Sequence, residues 1–196
     1  MYRVEVVVEG VGNGLLMHKF SVAATASLEG EVRKAKQKQL TPAEEAEQGA
    51  YRLEAKDGAK GQLCLPAEHF LGALTAAGSS LKVRGSGKST YKKAFAGHLD
   101  VAPAYVGLTD GQGNPMYDYM VDSRPVVIKA TKGRVIRHRP FIAAGWRAKF
   151  EIKVGDDGIP VEVVQSALAT AGEAHGVADY RPRFGHFRIV SFDRIA

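Results

Sequence analysis

The stretch AGEAHGVADYRPRFGHFRIVSF, residues Ala171 to Phe192, decides how the rest of the chain is organised. A helical pattern from Val161 to Ala171 runs into a loop rich in glycine and arginine, and an alternating strand pattern follows. In that strand Phe187, Ile189 and Ser191 are expected on one face. A basic glycine-rich loop between a helix and a closing strand can present backbone N–H groups and arginines to an anion.

Composition places the chain among folded soluble proteins with a polyanionic partner. Of its 196 residues, 45% are hydrophobic and 24% are charged, and the net charge is +6. The single cysteine, Cys64, excludes an internal disulfide and a cysteine-rich zinc site, and its neighbours Leu63 and Leu65 predict a buried thiol. The sequence contains no bilayer-spanning apolar run and no signal-peptide pattern, so a cytoplasmic protein without membrane contact is expected.

Hydrophobic periodicity predicts an α+β fold. Strands are predicted at residues 2–9, 99–108, 125–137, 146–154 and 186–191, and helices at 65–77 and 161–171. Residues 21–62 are poor in apolar side chains and carry charges in blocks, so they are expected to form a projecting insertion after the first strand. Within it, Thr41 and Pro42 are typical of a helix start. Without the insertion the order is βαββαβ, the ferredoxin-like or RNA-recognition-motif core, in a single domain of residues 1–196.

Basic residues are concentrated in a few parts of the sequence. Between Ser79 and Lys93 there are five cations and no acid, and between Arg124 and Lys153 there are nine cations and one acid. Alternation over 146–154 predicts a sheet with a dry side and a basic side. This clustering favours nucleic acid as the partner. The residues predicted to bind it are Lys82, Arg84, Lys88, Lys92, Lys93, Arg134, Arg137, Arg139, Arg181 and Arg183.

The sequence GSGKS at 85–89 is similar to the end of a Walker A loop. The match fails because Lys82 occupies the position of the required glycine, five residues before Gly87, and because a helix is predicted before the loop. Nucleotide hydrolysis is therefore not expected. The loop is better explained as a contact surface for backbone phosphates.

Three segments resemble the RAMP superfamily of CRISPR-associated proteins, and most nearly the backbone subunit of Cascade-type effector complexes. They are LPAEHFLGALTAAG (65–78), RVIRHRPFIAAGWRAKFEI (134–152) and AGEAHGVADYRPRFGHFRI (171–189). The resemblance implies a non-enzymatic, antiviral subunit that repeats along a single-stranded guide RNA. The implied partners are that RNA, its complementary target strand, other copies of the chain and other effector subunits. Since 196 residues is short for a backbone subunit, a minimal version and a phage or mobile-element relative both remain open.

Two other function classes remain open. A RAMP-type endoribonuclease that processes guide RNA could use His18 or His175 as general acid or base. Metal-dependent cleavage of RNA could use Asp100, Asp118 and Asp122, although aspartates in turn-rich sequence usually cap backbone N–H groups or face the solvent. No histidine pair has metal-ligand spacing, so no metal site and no cofactor are expected. The third class is a viral or mobile-element assembly protein that touches nucleic acid.

One aromatic pair near the C-terminus could in principle stack on bases. Phe184 and Phe187 lie in RFGHF, which is similar to a strand signature of RNA-recognition motifs. The pattern lies on the last strand and lacks the second glycine, so both rings are expected in the core.

Overall fold

The computed structural model describes residues 1–19, 40–55, 58–127 and 133–195. The strands are β1 (Tyr2–Gly10), β2 (Leu15–Leu16), β3 (Cys64–Pro66), β4 (Leu99–Ala102), β5 (Tyr105–Thr109), β6 (Met120–Val127), β7 (Arg134–Ile142), β8 (Arg147–Val154) and β9 (Phe187–Arg194). The helices are α1 (Pro42–Gly49), α2 (Ala67–Ala77), α3 (Lys92–His98) and α4 (Val161–Thr170), and a π-helical segment, Ala171–His175, continues α4.

The strands form two antiparallel sheets. The larger has the order β3-β5-β8-β1-β9, with β4 also paired to β8, and the smaller has the order β2-β7-β6. Strands β4, β8, β1 and β9 with helices α2 and α4 make the βαββαβ arrangement in which the first and third strands are central. The predicted α+β, ferredoxin-like fold is confirmed.

The core lies between the larger sheet and its helices. Alternation in β1 buries Val4, Val6 and Val8 completely, because successive side chains of a strand point to opposite faces. The ring of Phe70, from α2, lies 4.4 Å from that of Phe150 in β8. The predicted core position of Phe187 is confirmed at 3% exposure, and Phe184 is also buried, at 5%. Cys64 is buried as predicted, and burial raises the pKa of its thiol to about 11.

Three elements differ from the predictions. The strand predicted over 99–108 is broken into β4 and β5 at Pro103, since proline has no N–H to give to a ladder. The strand predicted over 125–137 belongs to two strands, β6 and β7, that pair as a hairpin. The basic stretch 79–93 was predicted as a loop, but its last two residues begin α3, which Phe95 anchors in the core.

The last strand contains a β-bulge that changes the predicted facing of its side chains. Val8 pairs with Ile189, but Val7 pairs with Ser191, so Val190 is the extra residue. Ser191 therefore lies opposite an outward-facing position, and Phe192, paired with buried Val6, packs inward instead.

The insertion predicted over 21–62 is described only in part, because residues 20–39 and 56–57 lie outside the described residues. The predicted helix start is confirmed: the Oγ1 of Thr41 accepts a hydrogen bond from the N–H of Glu44, and the Glu44 carboxylate accepts one from the N–H of Thr41. This helix, α1, packs against β7, and its residue Ala46 and the following residue Ala50 are buried. The described part thus lies on the domain rather than projecting from it.

Candidate nucleic-acid interface

The loop between the π-helical segment and β9, residues 176–186, is closed at its base by backbone contacts. The N–H of Val177 donates to the carbonyl of Gly185, and the N–H of Gly185 donates to that of Gly14 in the turn between β1 and β2. Gly185 has a φ of 79°, and a Cβ there would lie 1.9 Å from the carbonyl oxygen of Val177. Only glycine fits this position, so the glycine pattern of the loop has a steric cause.

Arg181 and Arg183 are the exposed cations of this loop. Both are among the predicted binding residues, and no ion pair joins either guanidinium to a described acid. Tyr180 precedes them with a φ of 59° and is 37% exposed. Positive φ at a residue with a side chain is strained and is concentrated at functional sites. The loop therefore offers two available guanidinium groups beside an exposed ring.

An ion pair with a buried arginine holds the loop against the smaller sheet. Arg139 of β7 is only 5% exposed, and its Nε lies 2.7 Å from the Oδ2 of Asp179 in the loop. The N–H of this Nε is not directed at the oxygen, so the contact is an ion pair rather than a linear hydrogen bond. Arg139 was predicted to bind nucleic acid directly, but its burial makes it a support for the loop instead.

A second arginine of the smaller sheet, Arg124, was not predicted as part of the site. Its guanidinium binds the carboxylate of Asp122 at 2.5 Å and lies 4.6 Å from the centre of the Phe184 ring and 5.5 Å from that of Tyr180. Such cation–π contacts help to fix the rings of the loop. The sequence gives no signal for this contact, because it depends on the loop folding over β6.

Two further predicted cations lie on β7 and are exposed. Arg137 makes an ion pair of 3.3 Å with Glu45 of α1, and its side chain stays 47% exposed. Arg134 is exposed at the start of the strand, without an ion pair to a described acid. Arg137 lies on the same face of β7 as Arg139 and acts on the same His18 as the Arg139–Asp179 pair, so with Arg181 and Arg183 it forms what we call the loop surface. Arg134 lies on the opposite face of β7 and is not part of that surface.

The remaining predicted cations form a second group, which we call the 79–93 surface: Lys82, Arg84, Lys88, Lys92 and Lys93. All five are exposed, and none makes an ion pair with a described acid. The N–H groups of Val83, Ser86 and Ser89 donate to carbonyls within the same segment. Because these donors are used internally, the segment does not form a phosphate cradle of the Walker type, in agreement with the sequence mismatch.

The two surfaces lie near opposite ends of α2. Its first turn contains His69, whose pKa is lowered mainly by burial and further by the charge of Arg181, so this end is close to the loop surface. Its last residue, Ala77, leads directly into the 79–93 surface. A helix of 11 residues is about 16 Å long. The structure therefore divides the predicted binding residues into two separate basic surfaces.

The outer face of the larger sheet is not basic, contrary to the prediction. The register brings acids of β1, β4 and β9 beside the cations of β8, so that Arg147 pairs with Glu9 at 2.8 Å and Lys149 with Glu5 at 3.0 Å. On this face the cations are Arg3, Arg147, Lys149, Lys153 and Arg188, and the acids are Glu5, Glu9, Asp100, Glu151 and Asp193. Equal numbers of each sign leave no reason for a polyanion to prefer this face.

The groups considered for catalysis are distributed over several places. His18 is half-buried near the Arg139–Asp179 pair, and burial lowers its pKa, whereas His175 ends the π-helical segment. Each of the three aspartates lies in its own ion pair: Asp100 with Lys153, Asp118 with Lys60 and Asp122 with Arg124. Within the described ranges, no three His, Cys, Asp or Glu side chains are grouped so that they could hold a metal ion.

Comparison with known proteins bears on the fold. No family model and no curated protein matches the sequence. Among solved structures, a chain of the cryo-EM structure of the Type III-B Cmr-beta bound to cognate target RNA matches with a TM-score of 0.58 and 10% sequence identity. The match covers 99% of this chain and 60% of that chain. At this sequence identity the likeness shows a shared fold, and this protein spans 60% of the length of that chain. In the described part of the chain, no helix is long and apolar enough to cross a membrane.

Proposed function

We propose that this protein is a non-catalytic subunit that binds single-stranded RNA and oligomerises along a guide RNA in a CRISPR-type ribonucleoprotein. One observation carries the proposal: Arg181 and Arg183 are exposed and have no described acid as partner, on a loop held by the ion pair between buried Arg139 and partly exposed Asp179. Guanidinium groups fixed in this way are suited to backbone phosphates, which supply affinity without reading sequence.

The two separated basic surfaces also support this proposal. A strand that contacts the loop surface would have to continue past α2, over about 16 Å, to reach the 79–93 surface. Two contacts of that spacing suit an extended strand better than a compact ligand such as a nucleotide. Charged loops around a neutral sheet face would make binding dependent on salt and largely indifferent to sequence.

The structural neighbour supports the choice of RNA and of other subunits as partners. That chain comes from the structure of the Type III-B Cmr-beta bound to cognate target RNA. A role on the guide strand, with repeated copies of this chain and contact to a target strand, extends this likeness and forms part of the proposal.

Reversal of charge on the loop surface tests the proposal. The double variant Arg181→Glu with Arg183→Glu should weaken binding of a fluorescein-labelled single-stranded RNA at least about tenfold and reduce the slope of affinity against salt. The matched control is Lys149→Glu with Lys153→Glu, which changes net charge equally on the balanced sheet face. Equal losses in both variants would mean that only net charge matters, and would contradict the proposal.

A second candidate function is endoribonucleolytic processing of guide RNA. It is favoured by His18 and His69, because burial lowers the pKa of both side chains and keeps them neutral near the cations of the loop surface. A neutral histidine close to a bound phosphate can act as a general base. Incubation with a hairpin RNA decides between the two functions. Cleavage that is lost in His18→Gln or His69→Gln would support the enzyme, and an intact RNA would support the binding subunit.

A further inference from the structure

A groove of about 430 Å³ lies between the π-helical segment, the start of β9 and the turn that follows β1. Val11, Ala169, Phe187 and Ile189 contribute apolar surface to it. Its volume falls within the range of about 300–1,000 Å³ typical of clefts for small ligands. Gly172 forms part of the wall, and a Cβ there would lie 2.1 Å from the carbonyl oxygen of Phe187. The packing of the π-helical segment against β9 thus depends on this glycine.

Polar groups border the groove. The ring of His186 lines it, and the Nδ1 of His186 lies 3.1 Å from the carbonyl oxygen of Gly172. A carbonyl can only accept, so Nδ1 carries the proton and Nε2 of the neutral ring is an acceptor. The carboxylate of Glu173 is a second acceptor at the exposed rim. In addition, β9 pairs only with β1 among the described strands, so its outer edge offers backbone donors and acceptors.

The groove and the loop surface share one turn. Residues 11–14 connect β1 to β2, and Val11 and Gly12 line the groove. The same turn holds the loop, since the N–H of Val11 donates to the carbonyl of His186 and the Nδ2 of Asn13 donates to that of Arg183 at 3.0 Å. A strand whose phosphates contact the loop at Arg183 would therefore pass the mouth of the groove.

We infer that this groove binds one nucleobase of the RNA strand whose phosphates contact Arg181 and Arg183. A base has flat apolar faces and a polar edge, which match the apolar walls and the bordering acceptors. Arg188 lines the groove, where it also pairs with Glu9, and the turn beside the groove holds the backbone of Arg183, so cations are near for the phosphate that a base in a strand necessarily carries. The inference rests on the proposed function and adds to it a site for a base.

The experiment compares a filled groove with an open one, on RNA with and without bases. Ala169 is exposed on α4 and lines the groove, so Ala169→Phe fills the space without changing the core, and Ala169→Leu fills less of it. Ser166→Phe is the control, because this residue is exposed on the same helix but does not line the groove. Each variant is titrated with a labelled single-stranded RNA and with an abasic RNA of the same length.

Ala169→Phe should weaken binding of the RNA with bases about tenfold, in line with the loss of one base contact. Ala169→Leu should weaken it less. Neither variant should alter binding of the abasic RNA, and Ser166→Phe should alter neither. Unchanged affinity of Ala169→Phe for the RNA with bases would overturn the inference. An equal loss on both RNAs would overturn it as well, since it would show that the groove does not receive a base.

The proposed function fails on a different result, namely unchanged RNA binding in the Arg181→Glu, Arg183→Glu variant. AMP and UMP serve as free-nucleotide probes in the same titration. Binding of AMP or UMP that Ala169→Phe abolishes, without any change for the strand, would assign the groove to a free nucleotide and overturn its place on the RNA path.

Discussion

Arg139 and Asp179 form the contact that fixes the basic loop to the smaller sheet, with 2.7 Å between Nε and Oδ2. The arginine side chain is 7% exposed and the aspartate side chain 33%. Desolvation of such a pair is costly, and its removal from one side leaves an uncompensated buried charge. The pair therefore connects the stability of the domain to the position of Arg181 and Arg183, which follow Asp179 by two and four residues.

Asp179→Ala should lower the free energy of unfolding by about 2 kcal/mol, less than the 3–5 kcal/mol of a fully buried pair because the aspartate is one third exposed. It should also weaken RNA binding, since the loop loses its anchor. Urea denaturation measures the first effect. Asp118→Ala is the control, because the Asp118 side chain in its pair with Lys60 is 90% exposed, so its loss should change the free energy of unfolding little. Equal costs for the two variants would show that the Arg139–Asp179 pair does not anchor the loop.

Charge reversal of the 79–93 surface should weaken binding for all RNA sequences alike. Lys88→Glu with Lys92→Glu removes two phosphate contacts, so the slope of affinity against salt should flatten. Anisotropy titrations with sequences of different composition, each at several salt concentrations, measure both effects. Unchanged affinity would exclude this surface from the site while leaving the loop surface in place.

Stability should fall as pH decreases from about 7.5 to about 5.5, because burial lowers the pKa of His18 and of His69 below the ordinary value near 6.5. In that window the unfolded chain binds more protons than the folded chain, so protonation favours unfolding. The carboxylates whose pKa is lowered, such as that of Glu9, reduce stability only as the pH falls toward and below their ordinary pKa of 4.5. Thermal unfolding across the window measures the slope. His18→Gln with His69→Gln should flatten it, and an unchanged slope would assign it to other groups.

Two glycine substitutions should act in opposite directions. Gly185→Ala places a Cβ 1.9 Å from the carbonyl oxygen of Val177 at a φ of 79°, and it should cost at least about 2 kcal/mol. Gly72→Ala, in α2, meets no atom within 4 Å and should stabilise by about 0.5–1 kcal/mol. Differential scanning calorimetry compares the two variants with the parent. A stable Gly185→Ala variant would be incompatible with the tight closure of the loop.

Local patterns were sufficient for the elements that carry strong periodicity. Alternation in 2–9 and 146–154 predicted β1 and β8, and the apolar stripes of 65–77 and 161–171 predicted α2 and α4. These elements make up most of the ferredoxin-like core, which is why the fold class followed from the sequence. Helix α3 was missed because it is only seven residues long, begins with two lysines and ends in glycine and histidine. Phe95 is its single buried residue, so the segment has no apolar stripe that would predict a helix.

The site was less predictable, since it depends on contacts between distant residues. The cations of β8 predict a basic face when the strand is considered alone, but the register places Glu5 and Glu9 beside them. The sequence likewise predicts Arg139 as an exposed cation, but in the fold the loop places Asp179 against it. Local sequence shows charge but not its partner, so the clustering of cations predicted more free positive surface than the fold leaves.

Size-exclusion chromatography with light scattering, without RNA and with single-stranded RNAs of two lengths, tests the central claim most directly. We expect the mass of the complex to rise in steps with RNA length and the RNA to emerge intact. One copy per RNA at both lengths, or a shortened RNA, would contradict it and favour the processing enzyme. Assembly to the same extent in the absence of RNA would contradict it too, and would favour a structural protein of a virus or mobile element.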